Sequence, residues 1–376
     1  MRSSGVGAEC PPDGAPVRHL YVHVPFCPRI CPYCNFYKSP ASEGGFAAYV
    51  EAVCAEARRF PGPVAPGTVF FGGGTPTALN ERQLRALIGG LGSVFDLSGV
   101  KEFTVEMNPS TVSASKAETL LALGVNRASV GVQSWHDRHL ATLGRNHSAE
   151  IAAGTIRTLR EAGFENIGID LIFGIPGQTR ADWAATLDRT IGFSPSHISA
   201  YSLTYEEDTE FFLRLGRGEF ARDEHLDADL FDLAAEHLEQ AGYAAYETSN
   251  FARPGAECLH NLRIWRGADF LGLGPSAVST VAGTRWQNLC DTKAYVECLA
   301  RGGDPRRSHE QIGPAELRTE RIALGLRLAE GIDGALAAGP RLEDLVAGGL
   351  LEHHNGRIRI PRKARALADE IILSLV

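Results

Sequence analysis

Between residues 19 and 205 the hydrophobic positions alternate between two patterns. Short runs rich in β-branched and aromatic residues, HLYVHVPF, TVFFGG, EFTVEMNP, RASVGVQS, NIGIDLIFGIP and HISAYSLTY, read as strands. The stretches between them, such as FAAYVEAVCAEARRF, ERQLRALIGGLGSVF, SAEIAAGTIRTLREAGF and ADWAATLDRTIGF, place apolar residues at i, i+3, i+4 and i+7, the buried stripe of an amphipathic helix. Strands that alternate with helices pair in parallel through right-handed crossovers. The expected fold class is α/β, an open six-unit (β/α)6 partial TIM barrel, because a closed barrel takes eight units.

After residue 205 the period changes. An acidic helical stretch, DEHLDADLFDLAAEHLEQAGY, leads into AAYETSNFARPG, HNLRIWRG and a glycine-rich turn, DFLGLGPSAVST. From about residue 306 the pattern is helix, helix, an extended GRIRIP and a last helix, the outline of an α+β winged-helix-like domain. The expected division is a disordered tail over 1–17, the barrel over 18–245, a connecting segment with HNLRIW over 246–305, and the C-terminal domain over 306–376. The basic residues at 357–365 are too few for a DNA surface, so the last unit reads as a packing domain.

In barrels of this kind chemistry sits at the carboxyl ends of the strands. The polar and glycine-rich signatures gather there: Cys27 after strand one, Gly72–Thr77 after strand two, Glu106 and Asn108 at the end of strand three, Gln133 at the end of strand four. Asp170 lies in strand five, and Tyr201–Tyr205 close strand six. That agreement puts these residues around one cavity.

Composition narrows the partners. A formal net charge of −8 argues against nucleic acid and anionic membrane surfaces, both of which select a basic excess. No run approaches the ~18 apolar residues of a membrane span, and MRSSGVGAECPPDGAPV is polar and Pro/Gly-rich, unlike a signal peptide; the expected location is the cytoplasm. Eight cysteines are too few for a disulfide scaffold at 376 residues, and three of them fall within residues 27–34.

Those three, Cys27, Cys31 and Cys34 in HVPFCPRICPYCNFYK, are spaced C-x3-C-x2-C. Iron–sulfur clusters usually take four cysteines. Three on a tight loop leave one iron of a [4Fe-4S] cluster open to the amino and carboxylate groups of S-adenosylmethionine (SAM), whose S–C5′ bond an electron from the cluster would cleave. A zinc site, which takes four closed ligands, and inert thiols are the alternatives. The second motif, GGGTPT at 72–77, follows an apolar strand; glycines let a backbone approach a ligand closely, although the same pattern also makes a plain turn.

With these motifs go Y-x-H-x-P-F-C (Tyr21, His23, Pro25, Phe26, Cys27), V-E-x-N-P (105–109), G-V-Q-S (131–134), L-G-R-N-H (143–147) and I-D-L-I-F-G-I-P (169–176). In this order they make the chain, over roughly residues 18–370, resemble the radical SAM superfamily, and within it the branch containing oxygen-independent coproporphyrinogen III oxidase and the haem chaperone HemW. The resemblance implies SAM contacts at Tyr21, Tyr33, Gly73, Gly74, Thr75, Glu106, Gln133, Arg145 and Asp170. Chemically, the glycines and Thr75 suit the methionyl ammonium, Glu106 suits the ribose hydroxyls or the ammonium, and Arg145 suits the carboxylate. Each is also an ordinary strand-end residue of a barrel.

The oxidase pattern has a fourth cysteine two residues after the third; Phe36 stands there, which puts coproporphyrinogen oxidase activity in doubt. HNLRIW, 260–265, resembles the H-N-x-x-Y-W segment of the haem-chaperone relatives, with Ile264 in the tyrosine position. It implies His260 as a haem ligand, with Cys258 as a second candidate, neutral imidazole being a good axial ligand. The alternative is that His260 and Asn261 brace a loop. The resemblance thus implies a haem chaperone that carries a cluster, SAM and haem and passes haem to an acceptor protein at a membrane, with an electron donor for the cluster and homodimerisation left open. The competing function is a radical SAM enzyme acting on a tetrapyrrole, or a related methyltransferase.

Overall fold

The computed structural model describes residues 16–41, 45–60 and 62–376. Of the expected disordered tail, residues 1–15 lie outside the described residues, and Val17 already belongs to the first strand. Six strands, β1 (Val17–Val24), β2 (Val64–Gly73), β3 (Glu102–Met107), β4 (Arg127–Gln133), β5 (Asn166–Phe173) and β6 (His197–Ser202), pair in parallel in chain order.

The helices that join them are α1 (Phe46–Ala57), α2 (Glu81–Gly92), α3 (Ala114–Ala122), α4 (Ala149–Ala162) and α5 (Arg180–Gly192), and α6 (Glu224–Gln240) follows β6. Five of these start on a side chain that accepts from the amide three residues on: Asn80, Ser113, Ser148, Thr179 and Asp223. Such caps satisfy amides that a helix cannot pair itself, which is why the helices begin where they do.

Each strand shows two faces. Leu20, Val22, Val69, Phe71, Phe103, Val105, Ala128, Val130, Ile169 and Ile198 join the helices in one core. Side chains alternate along a strand, so the opposite face carries His19, Tyr21 and His23 on β1, Glu102, Thr104 and Glu106 on β3, and Arg127, Ser129 and Gly131 on β4. The inner face of the sheet is therefore largely polar.

The segment expected as a connector is part of the main sheet. Its strands β8 (Asn250–Ala252) and β9 (Leu271–Leu273) pair antiparallel with β6 and parallel with β1, and β7 (Ala244–Ala245) pairs with β8. The sheet thus has nine strands in the order β9-β1-β2-β3-β4-β5-β6-β8-β7. Residues 306–311 pair with Thr284–Asn288 in a separate three-stranded sheet, so the last unit begins after them rather than at 306. That unit has its own core, from Ile322 to Ile372, with a three-stranded sheet of Ile332–Asp333, Glu352–His354 and Arg357–Arg359.

Candidate functional site

Cys27 ends a two-residue strand, Phe26–Cys27, that pairs with Ser39–Pro40, so the loop carrying Cys31 and Cys34 is tied at both ends. Within it the Cys34 amide donates to the Cys31 carbonyl at 3.2 Å, and Lys38 Nζ donates to the Cys34 carbonyl. The three thiols are free and half-buried. Thr75 Oγ1 donates toward Cys27 Sγ at 3.7 Å, and Arg145 Nη1 toward Cys31 Sγ at 3.7 Å, which ties the loop to the segments after β2 and β4.

Burial pushes the Cys27 thiol up to about 11, against the Thr75 hydrogen bond, and raises Cys34 as well. These sulfurs ionise when a cation stands beside them, as they do on iron. Among the described residues no three His, Cys, Asp or Glu side chains converge on one metal ion.

Glycines shape the adjoining wall. Gly73 has φ +100°, and a Cβ there would stand 2.5 Å from the His23 ring; at Gly74 it would stand 2.5 Å from the Pro25 carbonyl oxygen. Only glycine lets this turn lie so close to β1. The Gly73 amide donates to Glu106 Oε2 at 3.2 Å, which joins the glycine turn to β3. His23 is held by Tyr21 Oη at 3.1 Å and by the Tyr37 carbonyl at 2.9 Å.

The charged groups are buried. Burial first, then the charge of Asp170, pushes Glu106 up to about 8. Burial also raises Asp170, although its carboxylate accepts from Ser129 Oγ at 3.0 Å and Ser199 Oγ at 2.7 Å. Arg145 donates from Nη2 to the Gly131 carbonyl at 2.9 Å, while its Nε is buried without a partner. Burial works against its charge, and Tyr33 and Cys31 outweigh that and hold its pKa above the usual arginine value. Gln133 ends β4 at φ +68°, where the register with β5 shifts, a left-handed conformation that costs a non-glycine residue and tends to persist at functional sites.

The structure therefore gathers the expected residues at the carboxyl ends of the strands. A glycine wall, two carboxyls and a guanidinium with a free donor can hold a ligand that carries an ammonium, a carboxylate and hydroxyls together. Phe36, in the position of the oxidase's fourth cysteine, is 65% exposed on the cysteine loop.

His260 and Cys258 lie elsewhere in the fold. They begin the short helix α7 (Leu259–Trp265), which seals the amino-terminal ends of the strands. The Glu102 carboxylate accepts from the amides of Leu259 at 2.8 Å and His260 at 2.9 Å and lies 3.5 Å from Cys258 Sγ. His260 Nδ1 meets Thr68 Oγ1 at 2.8 Å, its ring stacks on Phe70 with centroids 5.2 Å apart, and burial pushes its pKa down to about 3. With His260 at 2% and Cys258 at 0% exposure, neither reaches a ligand of haem size while α7 stays in place. In this conformation they are parts of the barrel floor.

Over residues 21–190 the chain matches the Radical SAM superfamily. It is 36% identical to the haem chaperone HemW of Mycobacterium tuberculosis across 95% of this chain and 94% of that protein, and 33% identical to the haem chaperone HemW of Bacillus subtilis across 94% and 98%. The mitochondrial radical S-adenosyl methionine domain-containing protein 1 of Bos taurus is 32% identical across 98% of this chain and 90% of its own length. The chain belongs to the HemW family of the radical SAM superfamily. Its fold is that of coproporphyrinogen III oxidase (HemN) from Escherichia coli, with a TM-score of 0.82, 24% identity, and 96% and 91% of the two chains covered.

Within this HemW-family fold, sequence reasoning passed over several interior residues: Thr68, Glu102, Arg127, Ser129 and Ser199. Their signal is in the strands themselves. On β3 and β4 every second residue is polar, Glu102, Thr104 and Glu106, then Arg127 and Ser129, and a polar row opposite an apolar row marks an inner face lined for chemistry or for a buried network.

Proposed function

We propose that this protein is a haem chaperone that holds a [4Fe-4S] cluster on Cys27, Cys31 and Cys34, binds SAM beside it, and transfers haem to an acceptor protein. The observation that carries this reading is the 36% identity, end to end, with a haem chaperone, joined to a loop that has three cysteines and Phe36 instead of a fourth. Tyr21, Tyr33, Gly73, Gly74, Thr75, Glu106, Gln133, Arg145 and Asp170 would hold SAM. When bound, the cluster supplies a single electron to the sulfonium of SAM.

In this reading Arg145 takes the methionyl carboxylate with the Nε that has no partner now, and the glycine turn with Thr75 takes the ammonium. Glu106, largely neutral near pH 7 without ligand, gives up its proton as a cationic ligand arrives. We place the working protein in the cytoplasm; among the described residues no helix is long and apolar enough to cross a membrane.

The test is an anaerobic titration of the cluster-loaded protein with haem, followed in the Soret band with and without SAM. Saturable haem binding without decarboxylation of coproporphyrinogen supports the chaperone. Absence of saturable binding together with porphyrinogen turnover replaces it with the tetrapyrrole enzyme.

A further inference from the structure

Between the carboxyl end of α1, strand β9 and the strand Thr284–Asn288 lies a cavity of about 240 Å³. None of the residues lining it belongs to the candidate SAM site. Leu271 and Leu273, both in the core under the helices, give it an apolar floor. Its wall carries the Phe60 and Trp286 rings, whose planes lie 24° apart with centroids 6.5 Å from each other. A void between mismatched apolar surfaces has carbon on every side. This one contains a buried carboxyl, Glu56, and its exposed lining residues are the charged Arg59, Asp304 and Arg306.

Three segments fix the Glu56 carboxyl. Oε2 accepts from the Gly274 amide at 2.9 Å and from Tyr295 Oη, and Oε1 accepts from Asn288 Nδ2 at 2.6 Å. A carboxylate accepts at about four lone-pair sites, so one remains, on Oε1. At the mouth Arg306 is committed to Asp304, donating from Nε at 3.0 Å and from Nη2 at 2.7 Å. Arg59 Nη1 donates to the Gly302 carbonyl at 2.9 Å, and among the described residues no carboxylate lies within ion-pair distance of its guanidinium. The cavity thus combines an acceptor held in one orientation, flat aromatic walls and an uncompensated cation at the entrance.

We propose that this cavity binds a purine mononucleotide, with its base along the Phe60 and Trp286 rings, a base N–H on Glu56 Oε1 and its phosphate on Arg59. Each part of the ligand answers one part of the site. A flat heteroaromatic ring takes the aromatic walls, and the edge of a purine remote from its sugar carries the N–H that the carboxyl accepts. Phosphate is the anion that a guanidinium fork holds best. A volume of about 240 Å³ lies below the ~300–1,000 Å³ of pockets that enclose drug-sized ligands, which excludes a tetrapyrrole. A sugar phosphate without a base leaves the walls unused, and a nucleoside without phosphate leaves Arg59 unused. The inference is independent of the haem and SAM reading given above.

The experiment is calorimetric titration of the full, cluster-loaded chain with AMP while SAM is held at saturation, joined to photolabelling with 8-azido-AMP. AMP binds saturably, and the label falls on peptides that contain Phe60 or Trp286. Arg59→Glu weakens AMP by about tenfold or more, the loss of a charge-assisted contact, and adenosine and ribose 5-phosphate each bind wild type more weakly by about the same factor. Glu56→Gln weakens AMP as well; where that buried variant fails to fold, the exposed Arg59→Glu keeps the test decisive. Absence of saturable binding to wild type, binding that SAM abolishes, or binding unchanged in Arg59→Glu overturns the proposal. Where wild type takes up no SAM, the same titration without it, read through Arg59→Glu and the labelled peptides, decides this inference separately from the SAM reading.

Discussion

The two ends of the same six strands bury polar groups differently. At the amino ends most floor polar groups meet protein partners, with Thr68 bridging His19 Nδ1 at 2.9 Å and His260 Nδ1 at 2.8 Å and Glu102 accepting from two amides of α7, while Arg127 Nε and His260 Nε2 are left without one. At the carboxyl ends, the groups are buried yet incompletely met: Arg145 Nε has no partner, Gln133 stands in a strained conformation, and the thiols have only long contacts with Thr75 and Arg145. A satisfied polar network stabilises a fold; an unsatisfied one of similar burial is preorganised for something that arrives later. A histidine or cysteine in this protein takes its role from the end of the barrel that holds it.

The comparison breaks most sharply on the cysteines. Replacing any one of Cys27, Cys31 or Cys34 by Ala abolishes bound iron and sulfide after reconstitution, read by metal and sulfide analysis, while far-ultraviolet circular dichroism stays unchanged. Retention of a full complement of iron would remove them from the ligand set. At the floor the effect falls on stability: Glu102→Gln replaces the carboxylate that accepts from the Leu259 and His260 amides and costs about 2 kcal/mol in urea unfolding, the scale of hydrogen bonds to a charged group. A loss confined to SAM affinity, with stability intact, would reverse the roles of the two ends.

Asp170→Asn weakens SAM roughly tenfold, the loss of one charge-assisted hydrogen bond, with iron content unchanged in the same preparation. A smaller effect is the pH dependence of the unliganded protein. Glu106 titrates at about 8 in the fold, well above the ordinary carboxyl value of 4.5, so its neutral form is the one the fold prefers. Its contribution is fully present below about pH 4.5 and is lost as pH rises through about 8. Glu106→Gln, which mimics the neutral form, flattens that decline in urea midpoints measured between pH 6 and 9. The smallest effect concerns His260: its replacement by Phe leaves the Soret position of bound haem unchanged, because the ring is enclosed by the floor. A shifted Soret band would mean that α7 opens and that His260 ligates haem in the open form.

Much of this was readable in the chain. Alternation of strand and helix patterns located all six parallel strands, and the cysteine spacing with the glycine turn pointed to the candidate site, because those motifs encode local geometry: a tight loop and a turn without Cβ atoms. The polar inner row of each strand was readable too, through its period of two, but the residue identities do not say which end of the barrel receives them. His260 shows the limit. Its neighbours in the sequence suggested a ligand, and nothing within HNLRIW records that Thr68 and Glu102, more than 150 residues earlier, would enclose it.

The sequence by itself determined the α/β alternation, the helix starts at Asn80, Ser113, Ser148, Thr179 and Asp223, and the cysteine loop, since each depends on residues a few positions apart. Tertiary structure alone decided that 271–273 would return to pair with β1, that α7 would close the floor, and that Arg127 would be enclosed inside the barrel. Those outcomes depend on which distant groups share a buried volume, where desolvation and charge act over a few ångströms of space and take no account of separation along the chain.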